Sequence, residues 1–252
     1  MAVGTFVRVA GGSFTKDSDS SDAASAAATG ALELGAVASL NPFYAVDGTV
    51  LDGIDASRSW SLVGSEANAP ATSAINQSPA QQYVHGQTRR WRSSFTRPAG
   101  SCSIVLTYAV SSQEVAAFPA LLFGCGADGN TNAVLNARHQ DGGLRFFADN
   151  QDAHGRIDTG LGAGGRSICF SFDAITNTGA VLLASGDPMT APFSAPPSAQ
   201  PWSVGGWSDG FGFAGKLGNS VLIFDRALHT DVNRPAAQRL LAALNAAHGL
   251  AS

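Results

Sequence analysis

The sequence predicts an all-β protein: an antiparallel β-sandwich of the jelly-roll kind, with a C-terminal α-helix and an extended N-terminal arm. Three observations lead there. From Phe95 onward, short apolar segments recur about every ten residues with turn residues between them, as in a sandwich or jelly roll. The strong surface helix formers are scarce, with lysine only at Lys16 and Lys216 and glutamate only at Glu33, Glu66 and Glu114. The stretch Trp202–Leu228 reads as a strand, a glycine-rich turn and an unbroken apolar strand, Val221–Phe224, of the kind buried on both faces.

Taken in order, residues 3–10 (VGTFVRVA) read as a short strand. Residues 13–29 are almost wholly small polar residues and alanine, which bury too little apolar area to offset their ordering entropy. They read either as a flexible linker or as an arm that orders against a partner, so residues 1–40 are assigned to an arm. Residues 41–232 form the sandwich, with Asn41-Pro42, Asp47-Gly48 and Asp52-Gly53 as turns and a long loop near 64–90. Ile104, Leu106, Tyr108 and Val110 share one strand face, and Ser103, Val105 and Thr107 the other. Gln140-Asp141-Gly142-Gly143 marks a hairpin between NAVLNARH and GLRFFAD. Ile168, Phe170 and Phe172 point inward on the next strand, which Asn177-Thr178-Gly179 turns into AVLLAS. The proline-rich run 186–201 reads as an extended crossing loop. In 233–252, Asn233 is a candidate cap, Leu240, Leu241 and Leu244 form one stripe for the sandwich edge, and Gly249 stops the helix.

Composition narrows the function classes. Apolar residues make up 44%, enough for a core, whereas charged residues are only 13%, about half the usual share. The formal net charge is −4, and the one basic cluster, Arg89, Arg90 and Arg92 around Trp91, reads as a solvated strand or loop, so no nucleic-acid partner is expected. No apolar window is long enough to span a membrane, and MAVGTFVRVAGG lacks the apolar core of a signal peptide. Cys102, Cys125 and Cys169 are odd in number and far apart, which suits buried thiols rather than a disulfide framework or a metal site.

Gly210, Gly212, Gly215 and Lys216 fit two phosphate-loop patterns, but Leu217 follows the lysine and a strand, not a helix, follows the glycines. A glycine-rich hairpin is the better reading. Asp128-x-Asn130-x-Asn132 opens like a calcium loop, then fails at Ala133 and His139; calcium is the one cofactor left open. Trp202, Trp207 and Asp209, with Phe211, form a candidate sugar platform, since aromatic faces stack on pyranose rings while polar groups fix their hydroxyls. The alternative is that these aromatics belong to the core or a subunit interface. Asn150 and Asp152, beside His154, form a second candidate cluster, or a hydrogen-bonded turn.

Phe213-Ala-Gly215-Lys-Leu217, followed by Val221-Leu-Ile-Phe224-Asp225-Arg226-Ala227-Leu228, resembles the closing strands of concanavalin A-like lectin/glucanase domains of the laminin-G type. Where that pattern continues with Ser-x-x-Glu, this chain has His229-Thr230-Asp231 and a longer helix. The resemblance implies the sandwich and a lectin-like role. The family's paired catalytic glutamates are missing, because Glu33, Glu66 and Glu114 are widely separated, so no catalytic residue is assigned. With the Ala/Ser-rich arm and low charge, the expectation is a non-enzymatic virion-type structural or adhesion protein of the tail-fibre, tail-tip or head-decoration kind. Fibre proteins of this type imply a homo-oligomer, a trimer, attached to other virion proteins through the arm and able to bind cell-surface carbohydrate. A free lectin, extracellular or at the cell surface, and a polysaccharide-degrading enzyme using aspartates are the alternatives.

Overall fold

A computed structural model describes residues 18–64, 70–116, 120–125, 135–148, 154–193, 200–206 and 212–251. Helix α1 (Ser18–Glu33) is followed by β1 (Ala36–Leu40), a 3-10 turn (Pro42–Tyr44), β2 (Thr49–Leu51), β3 (Ser59–Val63), β4 (Ala71–Ile75), β5 (Ser78–Tyr83), β6 (Arg90–Thr96) and β7 (Cys102–Val110). A short helix, α2 (Ser112–Ala116), precedes β8 (Ala120–Cys125), β9 (Leu135–Gln140), β10 (Gly143–Phe147), β11 (Arg156–Asp158), β12 (Gly164–Asp173) and β13 (Thr178–Leu182). Then come β14 (Met189–Pro192), β15 (Pro201–Val204), β16 (Gly215–Phe224) and helix α3 (Arg234–Ala247).

The strands form two antiparallel sheets. Sheet A runs β14-β13-β12-β7-β16-β5-β4, with β1 also paired to β16; sheet B runs β11-β10-β9-β8-β15-β6-β3-β2. Strand alternation builds the interior. Ile104, Leu106, Tyr108 and Val110 of β7 and Ile168, Phe170 and Phe172 of β12 enter the core between the sheets, as their spacing predicts. There they meet Trp91, Phe123, Phe146 and Trp202 of sheet B. Phe170 lies 5.1 Å from Phe123 and 5.3 Å from Phe146, within the range of favourable ring contacts. The β9–β10 turn has Asp141 and Gly142 at φ 52° and 82°, the mirror-image turn that Asp-Gly permits.

The alternate residues of sheet A, Val105, Cys169, Leu182, Leu222 and Phe224, face away from sheet B into a second apolar cluster. Helices α1 and α3 supply its other half through Ala27, Ala31, Leu240, Leu241 and Leu244. Each buried leucine contributes about 1.5–3 kcal/mol. Sheet A is therefore covered on both faces, and α3 docks on its broad face rather than on the sandwich edge.

Several expectations need correction. Residues 18–33, read as part of a flexible or extended arm, are helical. Alanine has the highest helix propensity, and Ala27, Ala31 and Leu34 need to bury only one narrow side. Residues 64–90, read as a long loop, contain β4 and β5, joined at Asn76 (φ 51°). Their polarity hides a strand because Gln81 is buried with its side-chain carbonyl satisfied: it accepts from Tyr83 Oη (3.0 Å) and Trp91 Nε1 (2.9 Å). The proline-rich run contains the edge strand β14 paired to β13; Pro192 stands opposite Thr178 at the end of the ladder, which an edge strand tolerates. The strands flanking the glycine-rich stretch do not pair with each other, because β15 lies in sheet B and β16 in sheet A. Arg90 is 5% exposed and so not solvated. Asn233 makes no capping bond; its Nδ2 donates to the Ala227 carbonyl instead (2.8 Å). The strand expected at 3–10 lies outside the described residues.

Candidate functional site

Sheet B differs from sheet A on its outer face. Trp91, Trp202, Val204, Phe146 and Ile157 point into the core, so their strand neighbours point outward. The register sets these outward residues in a line. Thr49 pairs with Ser61, Ser61 with Arg92, Arg92 with Ser203, and Ser203 with Gly124. The line continues through Asn136 and Phe147 to Arg156. A row thus crosses the sheet with small residues, Ser203 and Gly124, at its centre and guanidinium groups on both flanks.

A second row lies beside it on β9–β11. Arg138 sits directly opposite Arg145, and Arg145 opposite Asp158. The guanidinium of Arg138 covers the Phe147 ring at 4.1 Å, and its Nε donates to Gln140 (3.0 Å). Arg145 pairs with Asp141 (2.8 Å) and Asp158 (2.7 Å), and Arg156 reaches the other Asp158 oxygen (2.9 Å). These pairs are solvent-facing and contribute little to stability, roughly 0–1 kcal/mol each. Like charges directly opposed across a ladder are destabilising. Arg138 and Arg145 opposed in this way, with Arg156 sharing Asp158 with Arg145, are a poor structural device and a good array of hydrogen-bond donors. Toward the centre, Ser203 and Asn136 are fully buried on the polar side of the sheet, and the Ser203 hydroxyl has no hydrogen-bond partner.

The outer face of sheet A carries the one Ser–His contact that resembles a nucleophile arrangement among the described residues. Ser171 Oγ lies 2.8 Å from His229 Nδ1 and 2.9 Å from Ser103 Oγ. The Leu228 amide donates to both serines (3.0 and 3.1 Å). Burial pushes the His229 imidazole pKa down, and nearby Asp173 partly opposes this. Ser171 is fully buried, so no substrate carbonyl can reach it. The cluster instead pins the Asp225–Leu228 turn to sheet A, a physical reason for that motif at the end of a closing strand. Glu33, on α1, and Glu114, which accepts from the Ser111 amide (2.7 Å), sit on separate elements.

The sequence-derived sites fare unevenly. Trp202 is fully buried, with its ring 6.0 Å from that of Phe123. It is therefore a core residue and not part of a sugar platform, because a stacking face needs exposure and its strand position turns it inward. Trp207 and Asp209 lie outside the described residues, as do Asn150, Asp152 and the calcium-like run 128–132. On either side of residues 207–211, Gly206 bridges Gly212, and the Phe213 amide donates to the Gly205 carbonyl (3.0 Å). Gly205 has φ 84° with the Tyr83 ring packed on its Cα, a place where only glycine fits. The arginine rows were not foreseen, and the available signal was the outward phase of Arg138 and Arg145 across the recognised hairpin.

No protein-family model matches the sequence, and no curated protein sequence matches it. Solved structures do. A sialidase mutant of Trypanosoma rangeli displaying trans-sialidase activity aligns at 14% identity and a TM-score of 0.56, over 86% of this chain and 34% of that one. The binding domain of botulinum neurotoxin DC, solved with rat synaptotagmin II, aligns at 10% identity and 0.55, over 81% of this chain and 51% of that one. A Ruminococcus gnavus sialidase CBM40 bound to α2,3-sialyllactose aligns at 14% and 0.44, over 68% and 99%. The chain spans a third to a half of the length of the first two, and what it shares with them is the sandwich fold.

Proposed function

We propose that this protein is a non-catalytic, lectin-like binding protein that holds carbohydrate on the outer face of sheet B. The observation that carries the reading is the pair of directly opposed guanidinium groups, Arg138 and Arg145, with Arg156 beside them at Asp158, on the outward side of β9–β11. Such a face offers many fixed N–H donors to the hydroxyls of a sugar and suits a carboxylate or sulfate substituent best. A glycan array carrying neutral, carboxylated and sulfated oligosaccharides tests it. Wild-type protein should bind acidic glycans, and Arg138→Gln/Arg145→Gln should bind at least tenfold more weakly. Equal binding by both proteins, or none by the wild type, defeats the reading.

The virion setting and oligomeric assembly belong to the same proposal and are supported by the low share of charged residues. Because α1 packs against the body, a segment for attachment to other virion proteins narrows to residues 1–17. Deleting those residues should leave glycan binding intact and abolish incorporation into a particle.

A further inference from the structure

A cleft lies on the far side of sheet A from the arginine rows, beneath α1 and α3. Its floor is irregular. β16 pairs with β5 as far as Gly218 and with β1 from Val221, and its ladder to β7 breaks between Leu217 and Val221. Asn219 and Ser220 thus sit at a fork where two neighbouring strands diverge, the sort of bulge at which sheets open. Ala27 and Ala28 of α1, Leu222 of β16 and Leu244 of α3 wall a volume of about 40 Å³.

His248 closes the end of this cleft and is 3% exposed. Its Nδ1 lies 2.9 Å from the Leu244 carbonyl, which can only accept, so Nδ1 carries the proton. Burial holds the imidazole pKa down and the ring neutral. Nε2 is then a lone-pair acceptor, and it has no partner. Beside it is Gly218, where an added Cβ would come within 2.9 Å of Nε2. A buried acceptor left unmade costs about 1–3 kcal/mol, a cost that a donor in the cleft would remove. Among the described residues no charged side chain lines the cleft, so an ion would lose its hydration without compensation.

We propose that this cleft binds a small uncharged alcohol, with its hydroxyl donating to His248 Nε2 and its alkyl part lying on Ala27, Ala28 and Leu244. One water needs roughly 10–15 Å³ of such space, so the cleft takes a few heavy atoms, and a longer chain would leave through the mouth. This site is independent of the carbohydrate-binding face.

The test uses the full chain, 1-butanol as the probe, and long-range ¹H–¹⁵N spectra of the histidine rings. The His248 Nε2 resonance should shift saturably with a midpoint in the millimolar range. Ala28→Leu, which fills the cleft with a good helix former, should weaken binding at least tenfold. His248→Phe keeps ring volume and removes Nε2, and binding followed through the Leu244 methyl groups should fall equally. A linear, unsaturated drift of the same size in wild type and either variant overturns the proposal. So does a butanol-soaked crystal with only ordered water at Nε2.

Discussion

The two outer faces of this sandwich are made by the same alternation and end differently. On sheet A, polar residues beneath the helices bond one another: Ser103 with Ser171 (2.9 Å), Thr107 with Ser167 (2.8 Å), and the Ser167 amide with Asn245 (2.7 Å). Around them Val105, Leu222, Leu240, Leu241 and Leu244 exclude water. On sheet B, arginines oppose one another and the Ser203 hydroxyl has no partner. A face sealed by apolar helices has little to offer a glycan, whereas a face that sets guanidinium groups side by side does. The contrast teaches that function on a sandwich is sought where like-charged groups are gathered on one face.

The comparison can be broken by substitution. Leu241→Ala, a fully buried change on the covered face, should cost about 2–5 kcal/mol in chemical denaturation and should not alter glycan affinity. A loss below about 1 kcal/mol would mean that α3 is not holding sheet A closed.

The interior between the faces contributes a pH dependence. His139 is fully buried beside Tyr108, and burial, with Arg166 nearby, lowers its pKa to about 4. The unfolded chain takes up this proton near pH 6.5, before the folded protein does, so stability falls as pH drops from 6.5 and levels off below 4. The loss is about 3 kcal/mol by linkage. His139→Leu should flatten that part of the stability–pH curve, and an unchanged curve would show that His139 is hydrated.

Smaller effects sharpen the contrast. Ser171→Ala removes one of two acceptors for the Leu228 amide and should cost about 1–2 kcal/mol, read by the shift in denaturation midpoint. Arg145→Gln should change stability by less than about 1 kcal/mol while weakening acidic-glycan binding at least tenfold by calorimetry. If stability falls and binding holds, the second row is structural and the proposed function fails.

Most of the strands were legible because period-two alternation at 102–110 and 166–182 leaves one phase wholly apolar. The Asp141-Gly142 turn was legible because few residues adopt its backbone. α1 was hidden by composition: alanine and serine carry no apolar stripe, and its burial depends on a partner helix some two hundred residues away in sequence. β5 was hidden because Gln81 reads as a surface residue until Tyr83 and Trp91 are seen to bond it. The arginine rows were hidden for a related reason. Arg138, Arg145 and Arg156 each look like an ordinary solvated residue, and the register across β9, β10 and β11 makes them neighbours. Trp202 drew attention as an aromatic beside glycines, but its phase in β15 belongs to the core.

The divided strand β16 has a kinetic consequence. Its first half is held by β5 and its second by β1, so segments near residue 40 and residue 220 complete one sheet together. During synthesis β1 and α1 emerge early and wait for β16 and α3 before they have anything to hold. Contacts so distant along the chain make folding slow, and they leave an open sheet edge to be shielded until the last fifth of the polypeptide arrives.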